Sequence, residues 1–366
     1  MYGLDLEKDL KVQAIRYIDY FDELFKKKCF DLYLSSGDTR MLIEITAAMA
    51  KRYGVKTYYF EQGPFGTTIF DSKGVNANSS FCDRTSFDEP IDRARLQLFL
   101  EKWRLGKRSK YWQVEKRTFC DRVWQLLTFL SMHPPKLLSH IVPTDLKIGL
   151  GFKEAVRPIV ERRLAKRSSV TSAPVSVISR EGRYIALLLQ IPVDAQLIDN
   201  SPLYRDFVEI VKDVLDALPT GYTLVVREHP LYKGLYDPQI YELIEGSPHA
   251  IIDNATPLST LLEEASLVVL NNSTAGLDAL TYFKTVLTLG KAYYNRDGVV
   301  YNLRSRGELP SLMRYALEYP ISKTNIEVFL FNLIFKYLIP GHFQDEILDN
   351  STQVLMDIGL TNDMLS

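Results

Sequence analysis

Cysteine is scarce in this chain. The three cysteines, Cys29, Cys82 and Cys120, are odd in number and far apart, and no C-x-x-C occurs. That pattern excludes a disulfide framework and a zinc knuckle, and it fits a reducing cytosol. Histidine is equally sparse: five residues are dispersed with no H-x-x-x-H, so no built-in metal site is expected. Excess charge is missing too. Forty-four Lys and Arg face 45 Asp and Glu, which leaves a net charge of -1 and no global positive field for nucleic acid. Long apolar runs are absent, and the opening MYGLDLEKDLKVQ is charged where an export signal needs an apolar core. The expectation is a cytoplasmic protein without a membrane span, whose basic surfaces are local.

What the chain does have is apolar material for more than one core: 46% hydrophobic and 11% aromatic residues in 366. At roughly 100–200 residues per domain, this predicts two domains. Asp31–Leu34 reads as a short strand, 39–53 as a helix ending at Gly54, and Val55–Phe60 as a buried strand stopping at Glu61. Two strands joined by a helix imply a parallel pair. From Ile91 to Leu130 the pattern is helical, with Lys102, Arg104, Lys107, Arg108, Lys110, Lys116 and Arg117 interleaved with Trp103, Tyr111 and Trp112. This stretch is either a solvated face or a patch for anionic lipid or a phosphorylated acceptor.

Residues 153–183 read as an exposed connection, which puts a domain boundary near 165–182. Beyond it the period is clear. Strands are predicted at 184–189, 222–226, 267–270 and 286–289, and helices at 202–218, 258–265 and from 276. Repeated β-α-β of this kind specifies a parallel sheet covered on both faces, with ligands at the carboxyl ends of its strands. The last stretch, from about Asn325 to Leu365, reads as helical. The expected division is an acceptor-side domain over 1–175, a nucleotide-binding domain over 176–320, and helices over 321–366 that pack back across both.

Four strand ends carry polar clusters. In the first, Glu61 follows an apolar strand beside Gly63 and is followed by Asn76. It is placed either as a general acid or base or as a capping carboxylate. In the second, Asp194 follows Pro192 and precedes Gln196, as a nucleophile or as an ordinary Asx-turn residue. The third gathers Arg227, His229, Pro230 and Lys233, a phosphate-sized set of donors. The fourth is Ser273, Thr274 and Gly276 at a helix start, which is either an anion site or a plain N-cap.

Together these motifs resemble the bacterial capsule polysaccharide synthesis family. The chain carries, in order, F-E-x-G with G-V-N-x-x-S, L-Q-x-x-x-D-x-Q, R-E-H-P-x-x-K-G, N-N-S-T-A-G-x-x-A-L and G-K-A-x-Y, over roughly 58–305. The resemblance implies a GT-B-like α/β architecture, two Rossmann-like domains with parallel sheets and a cleft between them. It implies a retaining β-Kdo glycosyltransferase that uses CMP-Kdo as donor substrate and needs no cofactor or metal.

Carried over by motif, Asp194 is the nucleophile and Glu61 the acid/base. His229, Pro230, Lys233, Arg227, Ser273, Thr274 and Gly276 hold the donor phosphate, while Gly63, Asn76 and Gln196 lie on the acceptor side. The implied acceptor is lipid-linked, a lysophosphatidylglycerol, phosphatidylglycerol or Kdo-lipid, met at the inner face of the cytoplasmic membrane beside other capsule assembly proteins. Phe65–Thr68 stands where the family often has an arginine-containing segment. The alternatives are another cytidine-nucleotide transferase, of CMP-sialic acid or CDP-glycerol type, or a non-catalytic capsule assembly or export component.

Overall fold

A computed structural model describes residues 4–84, 90–106, 183–192, 197 and 199–341. Apolar runs without a polar face cannot sit at a solvated surface, and the C-terminal half buries its runs in one six-stranded sheet. Its strands are β4 (Arg183–Leu188), β5 (Tyr222–Arg227), β6 (Ala250–Ile252), β7 (Leu267–Leu270), β8 (Val286–Thr288) and β9 (Tyr301–Asn302). All neighbours pair in parallel, in the order β6-β5-β4-β7-β8-β9. This is the doubly wound Rossmann order, and it reverses between β4 and β7.

Two apolar clusters sandwich the sheet. Ala186, Leu188, Val225 and Val268 point into one, and Ile185, Leu187, Leu224 and Val269 into the other. The alternation of side chains along each strand thus feeds both faces. Helices α4 (Phe207–Asp216), α5 (Pro238–Glu245), α6 (Leu258–Glu264), α7 (Ala275–Thr281) and α8 (Leu309–Glu318) cover them. The helix expected from 202 begins only at 207, where the Asp206 side chain accepts from Glu209 N and caps it. Strands β6 and β9, three and two residues long, are too short to leave a periodic signal.

The N-terminal lobe holds α1 (Leu4–Lys27), β1 (Leu32–Ser36), α2 (Met41–Arg52), β2 (Lys56–Gln62), β3 (Thr67–Asp71) and α3 (Arg93–Leu105). β1 and β2 pair in parallel as expected, but β2 runs on through Glu61 and turns back into antiparallel β3. This sheet is therefore mixed. The turn is tight: Gly63 N donates to Thr67 O at 2.8 Å, and Phe65 sits at φ 63° with its ring buried against Phe99 and Trp103. Gly63 has no room for a side chain, because a Cβ there would lie 2.4 Å from the Thr67 hydroxyl.

After α9 (Lys323–Asn332) the helix does not continue as the sequence predicts. A π-helical turn at Leu333–Tyr337 leads into β10 (Ile339–Pro340), which pairs antiparallel with β3. Proline at 340 and the open edge of β3 favour the strand over further helix. The chain thus returns to the N-terminal sheet, and Ile326, Phe329 and Leu330 of α9 share a core with Leu96 and Leu100 of α3. These two α/β lobes form the GT-B-like architecture. The expected boundary near 165–182 lies outside the described residues, as does most of the basic stretch 102–117. Its described part turns inward: Trp103 packs edge-on against Phe65, and Arg104 donates to Thr281 O and lies over the Tyr282 and Phe283 rings.

Asp71, 4% exposed at the end of β3, anchors this lobe. One oxygen accepts from Lys73 N and Gly74 N, and the other from Ser80 N, the Ser80 hydroxyl and the Tyr337 hydroxyl. Removing a buried charged acceptor strands all of these donors. Asp71→Ala is expected to cost on the order of 3 kcal/mol in urea unfolding. Lys73→Ala, which loses only an exposed pair with Asp83, is expected to stay within measurement error.

Candidate functional site

Ligands of an open parallel sheet sit outside the carboxyl ends of its strands, where the strand order reverses. Here that crevice lies between β4 and β7. Gln190 lies just past the end of β4, and Asn271 and Asn272 directly follow β7. All three are buried, as are Asn200 and Ser201 from the segment after β4. Buried polar groups must be paired. The Ser201 hydroxyl donates to Asn271 Oδ1 at 3.1 Å, Asn271 Nδ2 to Asn272 Oδ1 at 3.3 Å, and Asn272 Nδ2 to Asn200 O at 3.1 Å. Gln190 Oε1 accepts from Asn272 N at 3.5 Å, which closes the crevice floor across the two strands.

Next to this floor, β5 ends in Arg227-Glu228-His229-Pro230. The Arg227 guanidinium does not join a donor cluster. Its Nη1 donates to Asp253 O at 2.9 Å and Thr256 O at 2.8 Å, bracing the loop after β6, and burial pushes its pKa below the ordinary value. Glu228, which the motif reading passed over, is 2% exposed. It accepts from Gly234 N at 3.0 Å, from the Tyr241 hydroxyl at 2.7 Å and from Asn254 Nδ2. The clue in the sequence was a charge lodged between an apolar strand and a proline.

His229 is half-buried. Its N–H donates to the Tyr236 hydroxyl at 3.1 Å, and its Nδ1 accepts from Leu231 N at 3.3 Å. The hydroxyl of Tyr236, 5% exposed, in turn donates to Gln190 O at 3.0 Å. Burial raises the Tyr236 and Tyr241 phenols well above their ordinary value, so both stay protonated donors at neutral pH. Pro230 and Lys233 are exposed, with Lys233 Nζ donating to Asn254 O at 3.2 Å.

At the start of α7, Ser273 is half-buried and Thr274 exposed. The Ser273 hydroxyl accepts from Ala275 N at 3.3 Å, so it already caps the turn. At seven residues, α7 is a short helix with a weak dipole. Gly276 is buried for packing. A Cβ there would lie 2.5 Å from the Tyr294 hydroxyl, which donates to Ser273 O and fixes the turn from beneath.

On the N-terminal sheet, Glu61 lies inside β2 and pairs with Ile69, not after the strand as expected. Its Oε1 accepts from Gln62 N at 3.0 Å. Its Oε2 lies 3.5 Å from where a side chain at Gly37 would begin, which places it at the carboxyl end of β1. Asn76 holds φ 51° in the 74–79 loop, which Asp38 gathers by accepting from Val75 N and Asn78 Nδ2.

The model of the family described as "Capsule polysaccharide biosynthesis protein" matches residues 33–308, well over half of the chain. The chain belongs to the capsule polysaccharide biosynthesis protein family. It is 27% identical over 300 residues to the capsule polysaccharide export protein KpsS of Escherichia coli, covering 76% of this chain and 72% of that one. It is 22% identical over 298 residues to the capsule polysaccharide modification protein LipB of Neisseria meningitidis serogroup B, covering 77% and 68%. The Thermosulfurimonas dismutans KpsC β Kdo 2,7 transferase aligns at TM-score 0.44 and 15% identity, over 94% of this chain and 92% of that one.

In this capsule biosynthesis protein the structure brings His229 and the Gln190 end of β4 together through Tyr236, beside the β7 turn that carries Ser273 and Thr274. Half-buried Arg227, which braces the loop after β6, and buried Gly276, which leaves room for Tyr294, act as supports. Asp194 and Gln196 lie outside the described residues. Among the described residues no group of three His, Cys, Asp or Glu is placed to hold a metal. If Gly276 serves packing, Gly276→Ala lowers stability by about 1–3 kcal/mol through the clash with Tyr294. Differential scanning calorimetry measures this directly, and an unchanged transition refutes the packing role.

Proposed function

We propose that this protein is a glycosyltransferase of capsule polysaccharide assembly that transfers Kdo from CMP-Kdo, with retention, to a lipid-linked acceptor at the inner membrane surface. The observation that carries the reading is the crevice itself. At the reversal of a Rossmann sheet, a buried amide floor is flanked by the strand-end turns that carry half-buried His229 and Ser273 and exposed Thr274. That setting suits a nucleotide phosphate, because fixed donors neutralise charge growing on the leaving CMP without reorganising.

Retention needs two displacements. In the first, an Asp194 carboxylate oxygen bonds to the anomeric carbon while its bond to the CMP phosphate oxygen breaks, and CMP leaves with the electron pair. In the second, the acceptor hydroxyl attacks that carbon, gives its proton to Glu61, and releases Asp194. His229, Pro230, Lys233, Ser273 and Thr274 serve the donor phosphate in this reading. Gly63, Asn76 and Gln196 shape the acceptor side, and Arg227 and Gly276 support the donor side from below.

The test is incubation of the protein with CMP-Kdo and either lysophosphatidylglycerol or a Kdo-lipid, followed by mass spectrometry of the lipid. Product one Kdo heavier, with CMP release, is expected. A panel including CMP-sialic acid and CDP-glycerol decides the donor, and the absence of any transfer favours an assembly or export role. Asp194→Ala is expected to lower turnover at least a hundredfold while leaving CMP affinity within a factor of two. His229→Ala is expected to weaken CMP binding about tenfold or more in calorimetry. Unchanged CMP affinity in that variant removes His229 from the phosphate site.

A further inference from the structure

We propose that Tyr236 and Glu228 are positioning residues that fix the place and tautomer of His229. The inference rests on the reading of His229 as a donor-phosphate ligand. The nine residues from Glu228 to Tyr236 form a loop at the end of β5, and its hydrogen bonds converge on these two buried side chains.

Glu228 holds the loop from within. It accepts from Gly234 N near the loop's far end, from the Tyr241 hydroxyl on α5, and from Asn254 Nδ2, while Asn254 Oδ1 accepts from Glu228 N at 3.2 Å. The Tyr241 hydroxyl in turn accepts from Tyr236 N at 3.2 Å, so the carboxylate sets the height of Tyr236. Three donors thus converge on the two oxygens of one buried carboxyl.

Tyr236 then transmits that placement. Its ring packs edge-on against Phe207 and Tyr232, and its hydroxyl bridges His229 N to Gln190 O. One phenol thus ties the carboxyl ends of β4 and β5, the two strands flanking the crevice on one side. With the backbone at 229 held, Leu231 N reaches His229 Nδ1. A nitrogen that accepts from a backbone N–H carries no proton, so the neutral imidazole bears its proton on Nε2. That tautomer presents a donor to a phosphate oxygen, and the loop favours it by keeping Leu231 N and Nδ1 in register.

The test uses the full chain, with histidine 15N-labelled and His229 assigned by its loss in His229→Gln. Tyr236→Phe keeps the ring and removes both bonds of the hydroxyl. Phe207→Leu disturbs the same aromatic cluster but leaves the hydroxyl in place, and so reports on stability alone. The wild type is expected to show the Nε2–H pattern at neutral pH without ligand. Tyr236→Phe and Glu228→Gln are expected to move the His229 15N shifts toward a tautomer mixture.

In the same two variants CMP affinity is expected to fall about tenfold, the loss of roughly one good hydrogen bond. Transfer should show a raised donor KM with kcat changed less than threefold. Phe207→Leu is expected to lower the melting temperature with the 15N pattern intact. A His229 pattern in Tyr236→Phe identical to that of wild type overturns the proposal, whatever happens to stability. Should the wild type not bind CMP at all, the donor reading falls, and the 15N pattern still decides whether Tyr236 positions the imidazole.

Discussion

Polar groups at the carboxyl ends of a doubly wound sheet have nowhere to go. The strands that carry them are buried on both faces, water is excluded from the crevice floor, and each group left unpaired costs on the order of 1–3 kcal/mol. The structure meets this constraint by letting the strand ends satisfy one another. Ser201, Asn271, Asn272, Asn200 and Gln190 form one connected set across the β4–β7 reversal, and Tyr236 extends it to β5. With the floor closed in this way, His229, Ser273 and Thr274 are among the described side chains left at the strand ends around it.

The N-terminal lobe solves a related problem with carboxylates. Asp38 and Asp71 follow β1 and end β3, and each gathers backbone donors from the 72–80 loop. Asp71 also takes the Tyr337 hydroxyl from the segment leading into β10, so the returning chain is locked to the sheet that it joins. The lobes share apolar packing as well as polar ties. Arg296 donates to Phe81 O at 3.0 Å, with its guanidinium over the Phe81 ring, and burial lowers its pKa. A desolvated guanidinium between lobes favours a fixed seam here, because moving apart breaks this contact and the shared core together.

Sequence reading finds what burial writes plainly. β4, β5, β7 and β8 are legible because an apolar strand covered on both faces leaves an uninterrupted run such as Tyr184–Leu189 or Leu267–Leu270. β3 is not legible, because Thr67-Thr-Ile-Phe-Asp71 follows a glycine-rich turn and is half polar, and its threonines pair across to β2 and β10. The same omission misplaces Glu61, which looks like the first loop residue only while β3 is unseen. Within the site, motif spacing locates His229, Ser273 and Thr274 at strand ends. It cannot say which polar residue faces outward, since Arg227 and Glu228 differ from His229 only in the direction that the backbone turns them.

That difference explains how one short motif does two jobs. Along Arg227-Glu228-His229 the successive residues do different work: Arg227 braces the loop after β6, and Glu228 ties that loop, through Asn254, to the loop that follows β5. The motif's charges are therefore spent mostly on bracing the segments around it. Gly276 follows the same logic across the crevice, where it stays small so that Tyr294 can reach Ser273 O. Ligand-facing groups in such a crevice are set by buried neighbours that never meet the ligand. A substitution at Glu228 or Gly276 therefore acts on the site through geometry, and a loss of function there does not by itself mark a residue that touches a ligand.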